Sequence, residues 1–203
     1  GTPACLIEEA MARQLGALGV HAEQTVILYD SRNTTALAYS FWALEQVGQH
    51  DVRILDGGFE AWQAADAPST DELPRPCRSD YDSSPRACRA DAAWIAAHPA
   101  ALQLVDARGV QEWRAAHIPG AINCNWVGLT CGDGDTSLLP VETIQSKLDA
   151  LGLSPDKETV TYCRSGPRAS FVYLVLRLLN WPRLRTYDGS MTDWLLHERP
   201  VAR

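Results

Sequence analysis

Cysteine and histidine are scarce in this sequence and long apolar runs are absent, and each shortage excludes a class of protein. Six cysteines in 203 residues are too few for a disulfide scaffold. They form no CxxC pair and have no histidine at zinc-ligand spacing, so we expect no metal site. No apolar stretch approaches the roughly 20 residues that cross a bilayer. We therefore expect no membrane partner and favour a cytoplasmic location.

Positive charge is also in short supply. The 18 lysines and arginines stand against 25 acidic residues and leave a net charge of −7, which repels phosphate backbones. We therefore expect no nucleic-acid partner. The hydrophobic fraction of 46% is large enough for a real core, so the chain as a whole is not intrinsically disordered.

An internal repeat organises the chain. The segment LGALGVHAEQTVILYD at 15–30 aligns without a gap with LDALGLSPDKETVTYC at 148–163, and LDGGFEAW at 55–62 aligns with YDGSMTDW at 187–194. Each copy is typical of a helix, a strand, a long helix, a strand and a short helix. Because short β-rich runs alternate with helices, we predict an open α/β fold whose parallel sheet carries helices on both faces. The predicted strands are 25–29 and 52–55 in the first copy and 159–162 and 184–187 in the second.

The two copies differ in what precedes them, because only the second follows a further predicted strand at 102–106. We therefore predict a partial unit at 1–66, a Pro- and Ser-rich linker at 67–90 and one complete unit at 91–203. Half a unit leaves one side of its parallel sheet unpaired, which proteins avoid. We expect the chain to be a fragment of a longer polypeptide whose absent N-terminal segment was removed or acts as a partner chain. A second copy of the chain or the linker is the alternative cover for this edge.

A single loop in the second copy carries the candidate chemistry. Cys163 directly follows the predicted strand 159–162, and a predicted helix begins at 170. Backbone N–H groups and the helix dipole at such a position stabilise a thiolate or an anion. A buried structural thiol is the alternative, but two arginines disfavour it. Cys163 is the candidate nucleophile, and the candidate binding residues are Arg164, Ser165, Gly166, Pro167, Arg168 and Ala169.

Four motifs resemble those of the tandem-domain rhodaneses, which are thiosulfate sulfurtransferases. CRSGPRA resembles their active loop, VDARGVQEWRAAHIPGAIN the opening of their catalytic domain, and YDGSMTDW its close. ILDGGFEAW is similar to the close of their non-catalytic first domain, in which Asp30 occupies the position equivalent to Cys163. A carboxylate cannot form a persulfide. The resemblance implies a partial non-catalytic unit followed by a complete catalytic one.

The resemblance also implies a mechanism without a cofactor. Cys163 attacks the outer sulfur of thiosulfate, releases sulfite, and passes the sulfur from a persulfide to cyanide or a thiol acceptor. Arg164 and Arg168 would hold the sulfonate oxygens, and loop amides would stabilise the terminal sulfur. Arg164 favours thiosulfate, because 3-mercaptopyruvate sulfurtransferases typically carry glycine there. Ser165 replaces the lysine of well-known thiosulfate enzymes and Arg168 replaces a common threonine, so both donors stay open.

Two other functions are the alternatives. Cys-dependent phosphatases and arsenate reductases place one more residue between the cysteine and the arginine than the four of this loop, so we disfavour them. A relay protein would accept a persulfide on Cys163 without turnover. The remaining polar or thiol side chains receive structural interpretations: His117 as a turn residue bonded to backbone, Asp106 and Arg108 as a polar pair near the loop, Glu112 as an exposed helix residue, and Cys77, Cys88, Cys124 and Cys131 as thiols without a catalytic role.

Overall fold

The computed structural model describes residues 4–31, 35–98, 102–132 and 135–203. These residues form two compact units, Gly1–Ala87 and Cys88–Arg203. The first unit contains three helices and two strands within its described residues: α1 (Ala4–Ala17), β1 (Thr25–Leu28), α2 (Thr35–Gln46), β2 (Asp51–Ile54) and α3 (Gly58–Ala64).

In the first unit, β1 and β2 pair in parallel, with Val26 opposite Val52. Helix α2 buries an apolar face of Leu37, Ala38, Phe41, Trp42 and Leu44. On its other edge β1 has no strand neighbour among the described residues. Ile27 of this strand is 58% exposed and the following Tyr29 is 59% exposed. The expectation that a further polypeptide segment covers this edge stays a prediction.

The predicted linker 67–90 divides between the two units. Its first part packs on the first unit, where the Ser79 backbone N–H donates to the Gly16 carbonyl at 2.9 Å and Arg86 pairs with Glu45 at 2.8 Å. Its last residues join the second unit, because Thr186 donates its N–H to the Cys88 carbonyl at 2.9 Å. Ser79 and Arg86 of this segment therefore bond to the first unit, and Cys88 bonds to the second.

The second unit holds a parallel sheet whose neighbouring strands are, in order, β4 (Ile122–Asn123), β3 (Leu102–Asp106), β7 (Glu158–Tyr162) and β8 (Leu184–Thr186). Leu104, Val160 and Tyr162 from its strands pack with Ile118 and Trp194 in the core. Two short strands outside this sheet, β5 and β6, pair antiparallel. The elements of this unit are α4 (Ala92–Ala97), β3 (Leu102–Asp106), α5 (Val110–Ala115), β4 (Ile122–Asn123), a 3-10 helix (Trp126–Leu129), β5 (Thr130–Gly132), β6 (Asp135–Leu138), α6 (Val141–Ala150), β7 (Glu158–Tyr162), α7 (Pro167–Leu178), β8 (Leu184–Thr186) and α8 (Ser190–Leu196).

The repeat seen in the sequence is also a repeat of hydrogen bonds. The Leu55 N–H donates to the Leu28 carbonyl at 2.9 Å in the first unit, and the Tyr187 N–H donates to the Thr161 carbonyl at 2.9 Å in the second. These pairs occupy aligned positions. The predicted α/β class with a parallel sheet is confirmed. No helix of the described residues is both long enough and apolar enough to cross a membrane.

Candidate active site

The Cys163 thiol lies at the carboxyl end of β7, under the loop that follows it. The residue is 1% exposed, and the backbone N–H of Gly166 donates to its Sγ at 3.2 Å. Gly166 has φ 109° and ψ −55°. Residues other than glycine rarely adopt this backbone conformation. The glycine therefore allows the chain to turn back and direct an N–H at the sulfur.

Helix α7 begins directly after this turn. Pro167 occupies its first turn, where a missing N–H costs nothing and the fixed φ suits the helix. The Ser170 N–H donates to the Gly166 carbonyl at 2.9 Å, which starts the ladder of the helix. The positive end of the α7 dipole is thereby placed at the loop, where it favours negative charge.

Ser190 holds the base of the loop, and no motif in the sequence predicted this role. Its Oγ accepts a hydrogen bond from the Cys163 backbone N–H at 3.0 Å, donates to the Tyr187 carbonyl at 2.8 Å and lies 3.9 Å from Sγ. The residue is fully buried and has φ 54°. The repeat carried a signal, because the aligned residue Gly58 has φ 61°, the same left-handed conformation.

The start of α8 holds the loop further. The Met191 N–H donates to the Cys163 carbonyl at 3.1 Å, and the Thr192 N–H donates to the Arg164 carbonyl at 3.1 Å. The Thr192 hydroxyl donates to that same carbonyl at 2.8 Å. The motif YDGSMTDW therefore binds the backbone of Cys163 directly. The motif thus matters for the loop because its residues hold the backbone of Cys163 and Arg164.

Arg168 projects from the first turn of α7 and forms a two-point ion pair with Glu112 of α5. Its Nη1 and Nη2 donate to the two carboxylate oxygens at 2.6 Å and 3.0 Å. The hydrogen bonds and charge of Arg168 lower the pKa of Glu112, and Glu112 in turn raises the pKa of Arg168. The interpretation of Glu112 as an exposed helix residue is wrong, because its carboxylate is half-buried against this guanidinium.

The other loop side chains divide by exposure. Arg164 and Ser165 are exposed, and the Arg164 guanidinium pairs with no carboxylate in the described part of the chain. Ala169 is fully buried and packs the loop onto the core. The predicted loop residues are therefore brought together around Cys163, with one arginine paired and the other open to solvent.

A buried polar network supports the sheet edge beneath the loop. Arg108 donates to Asp106 through Nε at 2.9 Å and Nη2 at 2.6 Å, and both side chains are buried. The Tyr162 hydroxyl accepts the Ile118 N–H at 3.1 Å, and burial raises the pKa of this phenol far above its ordinary value. His117 places Nδ1 2.9 Å from the Trp113 carbonyl. The geometry fits the structural interpretation of these residues.

The remaining thiols are dispersed. Cys77 and Cys131 are exposed, Cys124 is buried, and none of the three forms a disulfide. The Cys5 side chain lies outside the described residues. No group of three or more His, Cys, Asp or Glu side chains at metal-binding distance occurs in the part of the chain that the structure describes.

Comparison with known protein families identifies the family to which the chain belongs. The model of the rhodanese-like domain matches residues 6–65 and 91–197, which is most of the chain. The chain belongs to the rhodanese family. This match confirms the predicted family, and the thiosulfate sulfurtransferases among the relatives of the chain confirm the predicted class of enzyme, a sulfurtransferase.

Two curated proteins show the relationship of this rhodanese at the sequence level. The sulfur carrier protein TtuD of Thermus thermophilus is 35% identical over 92% of this chain and 73% of its own length. The thiosulfate sulfurtransferase of Azotobacter vinelandii is 34% identical over 95% of this chain and 75% of its own length. The chain thus spans about three quarters of each relative.

Two solved structures show the relationship at the level of the fold. SseA of Escherichia coli, from a study of 3-mercaptopyruvate sulfotransferases, is 28% identical with a TM-score of 0.75 over 90% of this chain and 72% of its own. EanB in complex with ergothioneine has a TM-score of 0.83 at 22% identity and shares the fold. The alignment covers 95% of this rhodanese and 54% of the EanB chain, so this rhodanese spans about half of EanB.

Proposed function

We propose that this rhodanese transfers the outer sulfur of thiosulfate to cyanide or a thiol through a persulfide on Cys163. The observation that carries the proposal is that several groups that favour negative charge lie around one sulfur atom, the Sγ of Cys163. The Gly166 N–H donates to Sγ at 3.2 Å, the α7 N-terminus lies at the loop, and the first turn of that helix carries the positive charge of Arg168. These groups all favour negative charge at the place where a thiolate must form.

The chemistry runs in two displacements. In the first, the Cys163 thiolate attacks the outer sulfur of thiosulfate, an S–S bond forms, and the bond between the two donor sulfurs breaks. Sulfite leaves with that electron pair. In the second, cyanide attacks the terminal sulfur of the persulfide, forms a C–S bond and releases the Cys163 thiolate as leaving group. The products are sulfite and thiocyanate, and neither step needs an oxidant, a metal or a cofactor.

The first unit takes no part in this chemistry in our proposal. Asp30 stands at the position aligned with Cys163, and its carbonyl accepts the Phe59 N–H at 2.8 Å, as the Cys163 carbonyl accepts the Met191 N–H. One backbone hydrogen bond at the base of the loop is thus present in both copies. Because the first copy lacks a thiol there, sulfur transfer is assigned to residues 91–203, and 1–66 is the non-catalytic partial unit.

A persulfide relay is the second candidate. It is favoured by the 35% identity to a protein named as a sulfur carrier. A relay would take its sulfur from a protein persulfide and would turn thiosulfate over slowly or not at all. The donor 3-mercaptopyruvate is the alternative within the first candidate, because Ser165 replaces the lysine expected of a thiosulfate enzyme. Both alternatives use Cys163, so they differ in the donor that loads the same sulfur.

Steady-state turnover separates these candidates. We expect thiocyanate to form from thiosulfate and cyanide in the wild type, and Cys163→Ser to abolish it because a hydroxyl is too weak a nucleophile in this loop. Near-ultraviolet circular dichroism of Cys163→Ser should match the wild type, because serine fills almost the same volume. Parallel assays with 3-mercaptopyruvate identify the preferred donor.

The matched control is Cys131→Ser, which removes an exposed thiol of the same unit and should keep full activity. Substantial turnover in Cys163→Ser would refute the assignment of the nucleophile. Loading of Cys163 from a protein persulfide, with no thiocyanate formed from thiosulfate or from 3-mercaptopyruvate, would overturn the enzymatic proposal in favour of the relay.

A further inference from the structure

Arg89 belongs to the predicted linker 67–90, and it binds a carboxylate close to Ser190, the residue that holds the base of the loop. Its Nε donates to Oδ1 of Asp188 at 2.8 Å and its Nη2 donates to Oδ2 at 3.3 Å. The two side chains are only 23% and 16% exposed, so protein shields the pair from water. Arg89 lies outside the residues that match the family model. A part of the chain beyond the family's domain thus reaches the turn that precedes α8.

The backbone on both sides of Arg89 is fixed to β8. The Thr186 N–H donates to the Cys88 carbonyl at 2.9 Å, and the Ala90 N–H donates to the Thr186 carbonyl at 3.0 Å. These two bonds make Arg89 a parallel bridge partner of Thr186. Because this short segment is bonded on both sides, the guanidinium of Arg89 is held beside Asp188, two residues beyond Thr186 in the chain.

Asp188 leads into a residue whose backbone conformation is unfavourable. Ser190 has φ 54°, which residues other than glycine rarely adopt, and its hydroxyl accepts the Cys163 N–H at 3.0 Å. A residue in such a conformation persists only when its surroundings fix it. The ion pair of Asp188 with Arg89 fixes one side of the turn that delivers this hydroxyl.

The aligned turn of the first unit lacks this ion pair and has a different backbone. Asp56 aligns with Asp188, but its side chain is exposed and forms no ion pair or hydrogen bond within the described residues. Gly57 has φ 72°, whereas the aligned Gly189 has φ −60°. The unit without a candidate nucleophile therefore has neither the ion pair nor the turn conformation that accompanies it.

We propose that Arg89 is a positioning residue for sulfur transfer. By fixing Asp188, it holds the Ser190 hydroxyl against the backbone N–H of Cys163. The inference rests on the proposed function, because it concerns how the proposed nucleophile is presented. In this proposal the catalytic unit includes Arg89 and begins before residue 91.

Steady-state kinetics of full-chain variants test the role in turnover. Arg89→Met removes every donor of the ion pair, and Asp188→Asn removes its negative charge. We expect each to lower kcat about three- to fivefold with KM for thiosulfate within about a factor of two, because neither residue binds the donor. Adding Arg89→Met to Ser190→Ala should change kcat by less than about a factor of two, because Arg89 acts through the Ser190 hydroxyl.

Hydrogen exchange of single backbone amides gives a readout that needs no turnover. We expect the Cys163 amide to exchange at least about tenfold faster in both single variants, because its hydrogen bond to Ser190 opens more often. The Thr159 N–H, which donates to the Arg183 carbonyl at 2.9 Å near the start of β7, should keep its wild-type rate. A merely structural role would accelerate both amides together. If the protein failed to turn over thiosulfate, the proposed function would fall, while these exchange rates would still judge the role of Arg89.

The matched control is Glu158→Gln. It removes the negative charge from the Arg185–Glu158 ion pair, whose 2.7 Å contact and exposures of 22% and 25% resemble those of the Arg89 pair, at the opposite end of β7 from Cys163. We expect wild-type kcat, KM and Cys163 amide exchange in this variant. An unchanged Cys163 exchange rate in Arg89→Met, equal acceleration at both amides, or a further loss of kcat when Arg89→Met is added to Ser190→Ala would each overturn the proposal.

Discussion

Ser190→Ala is the most informative single substitution at the base of the loop. The wild-type hydroxyl accepts the Cys163 N–H at 3.0 Å and donates to the Tyr187 carbonyl at 2.8 Å, and the residue is fully buried. A buried backbone group that loses its partner costs about 1–3 kcal/mol. With an N–H and a carbonyl affected, we expect a loss of about 2–4 kcal/mol in the free energy of unfolding.

The same substitution should also impair catalysis. The N–H that Ser190 holds belongs to the proposed nucleophile, so its release allows the Cys163 backbone to shift relative to the Gly166 N–H. A tenfold loss of kcat/KM corresponds to about 1.4 kcal/mol of transition-state stabilisation, and we expect at least that loss. Urea unfolding followed by tryptophan fluorescence and steady-state sulfur transfer measure the two effects.

Ser146→Ala is the control for this prediction. Its hydroxyl also donates to a backbone carbonyl, that of Glu142 at 2.8 Å, but on an exposed surface of α6. Its loss should change the unfolding free energy by less than about 0.5 kcal/mol and leave turnover unchanged. If Ser190→Ala were as stable and as active as Ser146→Ala, the role assigned to Ser190 would be refuted.

Two further predictions concern stability. Asp106→Ala leaves the Arg108 charge buried without its partner, and urea unfolding should show a loss of about 3–5 kcal/mol in the free energy of unfolding. If the double variant Asp106→Ala with Arg108→Ala lost the sum of the two single losses, the coupling of the pair would be contradicted. Burial raises the pKa of Cys124 to about 11 from 9.0, so the unfolded chain releases this proton at lower pH than the folded one. The free energy of unfolding should therefore fall as pH rises from about 9 to 11, by about 2–3 kcal/mol for this thiol. If the unfolding midpoint of Cys124→Ala fell as steeply as that of the wild type over this range, a contribution of Cys124 would be excluded.

Much of the sheet could be predicted because its signals are local and repeated. The predicted strand 25–29 is found at Thr25–Leu28, and 184–187 at Leu184–Thr186. The β5–β6 hairpin was not predicted. Its segment TCGDGDTSL lacks the apolar alternation that indicates a strand, and its pairing depends on backbone hydrogen bonds that composition does not reveal.

The candidate site was predictable where chain order decides it and not where tertiary packing does. Cys163 and Gly166 follow a strand and precede a helix, and this order alone predicts a loop at the carboxyl end of the sheet. Glu112 and Arg168 are 56 residues apart, and nothing local shows that α5 brings the carboxylate to the guanidinium. The contact of Ser190 with Cys163 depends on the left-handed backbone of Ser190. The glycine at the aligned position, Gly58, indicates this conformation in the sequence.

The intact mass of the protein after exposure to thiosulfate tests the central claim most directly. We predict that the wild type gains the mass of one sulfur atom, that peptide mapping places it on Cys163, and that cyanide removes it. Cys163→Ser should gain nothing under the same conditions. A wild type that stays unmodified by thiosulfate, or that carries the sulfur equally well in Cys163→Ser, would contradict the account.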